Sequence, residues 1–253
     1  MVKFADYEAE RFQNYVQGRA LTRQQLETWI GVFRSLLPAG RPLVGLDVGS
    51  GTGRYTPALA DAFGPVTGIE PARRMREQAE AQSQHPDVRY LAGSAEDLPV
   101  ERGSADYAVL MVAWHHVQDQ PRAARELARA VKPGGRLLVH SGFSDHMPRI
   151  WWLEQFPRGP EVDASMFRPL HEAVEIFVAA GWRVVGYQTV EEPSSGTRAE
   201  LLEQLRLRTH SVFSLFTADE IDAGFRRLEE LVAADPTAPV PSQHLPLLTL
   251  ERR

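Results

Sequence analysis

The chain has 253 residues, a formal net charge of −5 and 43% hydrophobic residues. That length holds one elaborated domain or two small ones, and the hydrophobic fraction is sufficient for a large core. No cysteine is present, which excludes disulfides, thiolate zinc sites and a cysteine nucleophile. The acidic balance argues against a protein whose main partner is nucleic acid.

The first residues, MVKFADYEAERF, contain no apolar segment of the kind that a signal peptide requires. No run in the sequence approaches the 18 or so apolar residues of a membrane span. We therefore expect a cytosolic protein without a membrane partner.

The segment 21–37 predicts the first helix, because Thr22 and Gln25 have the spacing of a capping box and apolar residues recur on one face. Pro38 follows and ends the helix. Residues 43–48 then form a short, almost wholly apolar run, which is typical of a strand buried on both faces.

This strand leads into LDVGSGTGRYT, residues 46–56, in which Gly49, Gly51 and Gly53 alternate with other residues. Such glycines let the backbone approach a ligand closely, and Glu70 ends the next strand about 20 residues later, where a carboxylate can accept both hydroxyls of a ribose. The third glycine comes one residue too early for the dinucleotide fingerprint, and Arg54 stands where that fingerprint has glycine. Loop and carboxylate together indicate a nucleoside-containing ligand without selecting it. A tight packing turn and a charge at a helix N-terminus are the alternative interpretations.

Four further strands are predicted at residues 66–69, 88–91, 107–112 and 136–140. An amphipathic helix at 121–131 precedes the last of them and stops at Pro133 and Gly134. Strands and helices that alternate at this spacing indicate right-handed βαβ units around a parallel sheet.

The alternation ends after residue 141. Residues 141–169 contain several aromatic residues and prolines without clear periodicity, whereas 170–180 and 197–234 are helical in pattern and 182–190 and 244–251 have the pattern of strands. We expect these last two strands to pair antiparallel at one edge of the sheet. The predicted fold is a Rossmann-like, doubly wound α/β sheet of seven strands, mostly parallel, with helical insertions.

Five segments follow one another in the order and spacing seen in class I S-adenosylmethionine-dependent methyltransferases: LDVGSGTGRYT, GIEPARRM, GSAEDLP, ADYAVLMVAWHHV and ELARAVKPGGRLLV. The chain most resembles the group that contains the ubiquinone and menaquinone biosynthesis methyltransferases (methyltransferase type 11). The resemblance is strong over about residues 43–139 and only architectural elsewhere. It implies a single domain over 1–253, with an N-terminal helical lid at 1–40, a cofactor-binding core at 41–141 and acceptor-lid insertions at 142–169 and 191–240.

The resemblance also implies a cofactor site for S-adenosylmethionine, with S-adenosylhomocysteine as the product. The amino-acid end would meet Asp47, Gly49, Ser50 and Gly51, the ribose Glu70 and Pro71, and the adenine Met75, Ser94, Ala95 and Glu96, while the carbonyl of Met111 would approach the cofactor. Ser94 departs from the aspartate often found at that position in relatives. Tyr15 and Arg19 resemble a segment that closes over the cofactor, with the arginine facing the methionine carboxylate.

Methyl transfer from a sulfonium is an in-line displacement that alignment and desolvation can promote, and a base helps where the acceptor carries a proton. His115 and His116 are the candidate bases, although a structural role for both is the alternative. Four aromatic residues and one histidine are the candidate walls of an acceptor pocket: Trp114, Trp151, Trp152, Phe156 and His146. The alternative is that the aromatic residues fill the core of the lid.

The sequence lacks the Asn/Asp-Pro-Pro-aromatic pattern of adenine methyltransferases after the fourth strand and lacks a compact cluster of magnesium ligands. We therefore expect a small-molecule acceptor, no nucleic-acid partner and no metal, in a secondary metabolic pathway. Two alternatives stay open. One is a protein of the same fold that binds the cofactor without transferring methyl, either a cyclase-like enzyme or a regulatory binder. The other is an NAD(P)-dependent oxidoreductase, which the glycine spacing disfavours.

Overall fold

A computed structural model describes residues 21–253. Seven strands form one sheet: β1 (Gly45–Val48), β2 (Val66–Ile69), β3 (Val88–Leu91), β4 (Ala105–Met111), β5 (Val131–His140), β6 (Trp182–Glu192) and β7 (Gln243–Arg252). The strand order is β3-β2-β1-β4-β5-β7-β6. The first five strands are parallel, and β7 pairs antiparallel with both β5 and β6. The predicted seven-stranded sheet with its antiparallel edge is confirmed.

The order of the sheet reverses between β1 and β4, which pair with each other: β2 and β3 lie beyond β1 on one side, and β5 lies beyond β4 on the other. Asp47 of β1 lies opposite Gly68 of β2 on one side and opposite Val109 of β4 on the other. In open α/β sheets, a crevice opens at the carboxyl ends of the strands at such a point. The glycine loop and the residues after β4 therefore face the same crevice.

Eight helices accompany the sheet within the described residues: α1 (Arg23–Leu36), α2 (Thr56–Phe63), α3 (Arg73–Gln82), α4 (Gln120–Ala130), α5 (Gly159–Ala164), α6 (Leu170–Ala179), α7 (Arg198–Arg206) and α8 (Ala218–Ala234). The capping box predicted for α1 is present, since the Thr22 hydroxyl accepts a hydrogen bond from Gln25 N and the Gln25 side chain accepts one from Thr22 N. This satisfies two amides that the first helical turn would otherwise leave without partners.

Helix α1 belongs to the layer of helices that covers the sheet. Its Trp29 and Phe33 are fully buried. The Trp29 ring lies 4.7 Å from the ring of His140 at the end of β5, and its Nε1 donates to Glu192 at the end of β6. Within the predicted N-terminal lid, residues 23–36 therefore form a helix that packs into the core of the domain, and the role of this segment as a lid stays a prediction. The rest of that segment, residues 1–20, lies outside the described residues.

The helical stretch predicted over 197–234 is two helices with a break between them. Arg208 has a positive φ of 51°, which an α-helix does not accommodate. A short 3-10 turn at Ser211–Ser214 follows, and the Thr217 capping box then starts α8. The sequence pattern is helical on both sides of this break, so the pattern alone did not predict it.

The two segments predicted as lid insertions meet in a third hydrophobic cluster, which we call the lid core. Trp152, Leu153 and Phe156 come from the first segment. The second segment contributes Leu202, Leu205, Val212, Phe213, Phe216, Ile221, Phe225, Leu228 and Val232. This cluster is separate from the two that lie on the faces of the sheet, so the lid has a core of its own over the crevice.

Candidate functional site

A cavity of about 520 Å³ lies between the carboxyl ends of the parallel strands and the lid. All the described residues predicted to contact a cofactor line it: Asp47, Gly49, Ser50, Gly51, Glu70, Pro71, Met75, Ser94, Ala95, Glu96 and Met111. His115, His116 and Trp152 line it as well. Tyr15 and Arg19 lie outside the described residues. The structure thus brings the dispersed motifs to one place.

The glycine loop between β1 and α2 requires glycine for two reasons. Gly49 and Gly53 have positive φ angles of 74° and 78°, and residues with a side chain rarely adopt such angles. A Cβ on Gly49 would lie 2.7 Å from that of Ala113, and one on Gly53 would lie 2.4 Å from the hydroxyl of Tyr90. Other residues would therefore strain the turn and displace its neighbours.

The amides of this loop are directed into the protein. Gly49 N and Ser50 N both donate to the carbonyl of Ile69, at 2.8 and 3.1 Å, and Gly51 N donates to Glu70 Oε2 at 2.9 Å. A loop that binds phosphate must aim such amides at its ligand. The arrangement does not suit a phosphate. Two carboxylates, those of Asp47 and Glu70, line the cavity beside the loop, as does Arg54 of the loop itself.

Asp47 is a buried carboxylate at the end of β1, with 2% of its surface exposed. Its Oδ2 accepts a hydrogen bond of 2.7 Å from the Thr56 hydroxyl. Burial raises the pKa of Asp47 to about 6, although the Thr56 bond and the nearby Arg54 act in the opposite direction. An ionised carboxylate in such a place is stabilised by a cationic ligand group such as an ammonium.

Glu70 is held in a fixed orientation at the end of β2. Besides the bond from Gly51, its Oε1 accepts a hydrogen bond of 2.9 Å from Ala72 N, and Arg76 donates to its backbone carbonyl. Each carboxylate oxygen has a second lone pair. The side chain can therefore still accept two ligand hydroxyls while the backbone fixes its position.

Part of the segment GSAEDLP, which the sequence predicts to bind adenine, makes hydrogen bonds within the protein. Glu96 Oε1 accepts from Gln118 N at 2.9 Å and from Asp119 N at 3.3 Å, which ties this turn to the start of α4. Met75 is buried beside the loop, where its Cε lies 3.5 Å from the Cβ position of Gly51. A flat apolar ligand group bound here would have one face against the Met75 side chain.

The histidine pair lies on a 3-10 turn, Trp114–His116, directly after β4. The two ring centroids are 3.9 Å apart, and the His115 ring lies 4.8 Å from that of Phe167. Val112, which precedes the turn, has a φ of 59°, a conformation that is strained for a β-branched residue. Strain of this kind at the rim of a cavity is a common feature of functional sites.

Four of the predicted wall residues do not line the cavity, which corrects the sequence-based prediction. Trp114 stacks on Phe177 at 4.5 Å in the core beneath the site. Phe156 lies in the lid core, and Trp151 packs against that core with the guanidinium of Arg198 4.7 Å from the centre of its ring. His146 pairs with Asp145 at 3.0 Å outside the cavity. The sequence shows that these side chains are aromatic or polar, but it does not show which neighbour each of them contacts.

Sequence reasoning also missed part of the cavity wall. Asp163 of α5, Phe167, Thr209 and His210 all line the cavity from the lid side. Asp163 and Phe167 come from the segment without clear periodicity, and Thr209 and His210 lie at the break within the stretch predicted as helical. No spacing rule could therefore place them at the cavity.

Within residues 21–253, no group of three or more histidine, cysteine, aspartate or glutamate side chains has an arrangement that would hold a metal ion. No helix in that range is both long and apolar enough to cross a bilayer.

Comparison with known proteins identifies the core. Residues 46–139 match the profile of a methyltransferase domain family. An uncharacterized methyltransferase of Mycobacterium tuberculosis is 39% identical over 120 residues, which are 47% of each chain. A demethylmenaquinone methyltransferase of Bacillus licheniformis is 30% identical over 132 residues, covering 50% of this chain and 57% of the relative. The chain thus spans about half the length of the curated relatives it matches.

Among solved structures, a protein of Anabaena variabilis assigned as a methyltransferase of an antibiotic biosynthesis pathway superposes with a TM-score of 0.68. The match is 23% identical and covers 89% of this chain and 98% of that one, so it supports the fold across nearly the whole chain. Profile, relatives and fold agree with the crevice geometry. Residues 46–139 therefore resemble a methyltransferase domain, and the chain shares the fold of the solved methyltransferase structure.

Proposed function

We propose that this protein transfers the methyl group of S-adenosylmethionine to a small-molecule acceptor. The observation that carries the proposal is the direction of the hydrogen bonds in the glycine loop. Its amides donate inward to Ile69 and Glu70, and the carboxylates of Asp47 and Glu70 border the cavity. That set of groups suits an ammonium and a ribose better than a pyrophosphate.

The residues present fit the cofactor piece by piece. Asp47 would accept from the ammonium group, Glu70 would accept from the ribose hydroxyls, and Met75 would lie against the adenine. Glycine at 49 and 51 keeps the wall free of side chains at the amino-acid end. Bound S-adenosylmethionine would supply an activated methyl group on a sulfonium.

The rest of the chemistry would depend on this chain. The lid, which has its own hydrophobic core, would exclude water and hold the acceptor in line, and alignment of that kind accounts for a large part of the rate of a displacement. His115 or His116 would accept the acceptor proton. Both rings line the cavity, as a base must.

The test is incubation with labelled S-adenosylmethionine and a panel of metabolites bearing hydroxyl, amine or enol groups. We expect transfer of label to at least one acceptor. Tight cofactor binding without transfer to any member of a broad panel would instead favour a cyclase-like enzyme or a regulatory binder of the same fold. The sequence-based expectations of a cytosolic location, a role in secondary metabolism and a lack of nucleic-acid partners remain proposals.

A further inference from the structure

The lid side of the cavity contains a carboxylate that the cofactor does not explain. Asp163 lies on the short helix α5 and lines the cavity with 8% of its surface exposed. No hydrogen bond or ion pair reaches its side chain from the part of the chain that the structure describes. Burial alone raises the pKa of Asp163 to about 6, which agrees with the absence of a stabilising partner. Buried charges in proteins are ordinarily paired.

A second polar group of the lid that lines the cavity is also without a partner. The Thr209 hydroxyl is buried and, within the described residues, forms no hydrogen bond. The ring of its neighbour His210 lies 4.9 Å from that of Trp152, tilted by 60°. Two polar groups that lack partners in one cavity are the pattern left by a ligand that supplies those partners.

The lid side of the cavity also carries apolar side chains, among them Met147, Ile150, Met166 and Phe167. Among residues 21–253, no lysine or arginine lines the cavity on the lid side; Arg54, the arginine that does line it, belongs to the glycine loop. A phosphate or carboxylate on the acceptor would meet Asp163 without a compensating cation, at a substantial cost in free energy.

We propose that the acceptor is a flat or apolar molecule bearing a protonated amine, and that this ammonium group donates hydrogen bonds to Asp163 and to the Thr209 hydroxyl. The inference rests on the proposed function, because it assigns the lid side of the cavity to the methyl acceptor. The ammonium group serves recognition, since a protonated nitrogen has no lone pair with which to attack a methyl group. Asp163 is thus a specificity-determining residue.

The first test measures binding with matched probes in the presence of saturating S-adenosylhomocysteine at pH 7.5. The probes are phenethylamine and tryptamine, each with its alcohol and carboxylate counterpart. We expect at least one amine to bind at least tenfold more tightly than its alcohol and carboxylate. Asp163→Asn should abolish that preference, and Asp222→Asn, the same change at an exposed position of α8, should leave it intact. Equal or tighter binding of the carboxylates, no binding by either amine, or an unchanged preference in Asp163→Asn would overturn the proposal.

A second test needs no ligand. Because an unpaired buried carboxylate destabilises the folded state, Asp163→Asn should raise the Tm of the ligand-free protein at pH 7.5 by at least about 2 °C. A merely structural aspartate would give a lower Tm on replacement, and that result would contradict the proposal. Affinity for S-adenosylhomocysteine, measured on the same variant, should stay unchanged. If the wild-type protein does not bind S-adenosylhomocysteine, the proposed function is wrong. The amine preference and the Tm shift test the inference about Asp163 separately.

Discussion

Glu70 joins the glycine loop to the second strand and is also the proposed ribose ligand. Glu70→Ala should weaken the binding of S-adenosylhomocysteine at least tenfold, about 1.4 kcal/mol, since two hydroxyl acceptors are lost. Titration calorimetry measures this directly. Glu77→Ala, an exposed change on the following helix α3, is the matched control and should leave affinity unaltered. An affinity in Glu70→Ala equal to that of the wild type would remove the ribose assignment.

Asp47 makes cofactor binding depend on pH. Its pKa of about 6 in the folded protein means that the carboxylate is largely ionised at pH 7.5 and largely protonated at pH 5. Because an ammonium group needs the ionised form, affinity for S-adenosylhomocysteine should fall as the pH drops through 6. Calorimetry at half-unit intervals between pH 5 and 8 would show it. An affinity independent of pH over that range would contradict the role of Asp47.

Substitution of His115 tests whether this residue acts as a base in the cavity. His115→Ala should lower turnover on an identified acceptor much more than it changes affinity for S-adenosylhomocysteine, because the ring lies at the proposed acceptor and not at the ribose. Comparison of kcat with the calorimetric Kd separates the two effects. His116→Ala is the paired variant, and an unaltered kcat in both would assign the pair a structural role.

At the scale of elements, the contact between α8 and the lid core is tight at one position. A Cβ on Gly224 would lie 2.1 Å from the ring of Phe156. Gly224→Ala should therefore lower the free energy of unfolding by about 1–3 kcal/mol through overpacking. Gly31→Ala, on the exposed face of α1 with no atom nearby, should instead stabilise by about 0.5–1 kcal/mol. Denaturant titration compares them, and a Gly224→Ala protein as stable as Gly31→Ala would contradict the packing described for the lid.

Prediction from sequence succeeded where structure is local and failed where it is not. The capping box of Thr22 and Gln25 could be predicted because both partners lie within one helical turn. The alternation of short apolar runs and helices was sufficient for the sheet. Trp114 and Phe156, by contrast, face partners about 60 residues away, Phe177 and Gly224. A sequence shows that such a side chain is large and apolar, but not which surface it will meet.

At the scale of the whole molecule, two of the buried carboxylates, Asp47 and Asp163, predict how stability varies with pH. Each has a folded pKa near 6 against 3.8 for an unperturbed aspartate, so the folded state holds these protons more tightly than the unfolded state does. The stabilisation from each is complete below about pH 4 and is lost as the pH rises through 6, on the order of 3 kcal/mol apiece.

These two groups therefore lower the free energy of unfolding between pH 4 and about 6.5. Asp163→Asn should remove its share of that decline, and denaturant titrations at pH 5 and 7.5 on the wild type and the variant would measure the difference. The exposed Asp222→Asn variant serves as the reference. A decline of the same size in all three proteins would show that Asp163 ionises freely in the folded state.

The proposed function requires that the crevice bind S-adenosylmethionine and not a dinucleotide. Calorimetric titration of the wild-type protein with S-adenosylhomocysteine and, separately, with NADH distinguishes these ligands. We predict that S-adenosylhomocysteine binds at one site with a Kd in the micromolar range or below and that NADH gives no measurable binding. Micromolar binding of NADH without binding of S-adenosylhomocysteine would contradict the account.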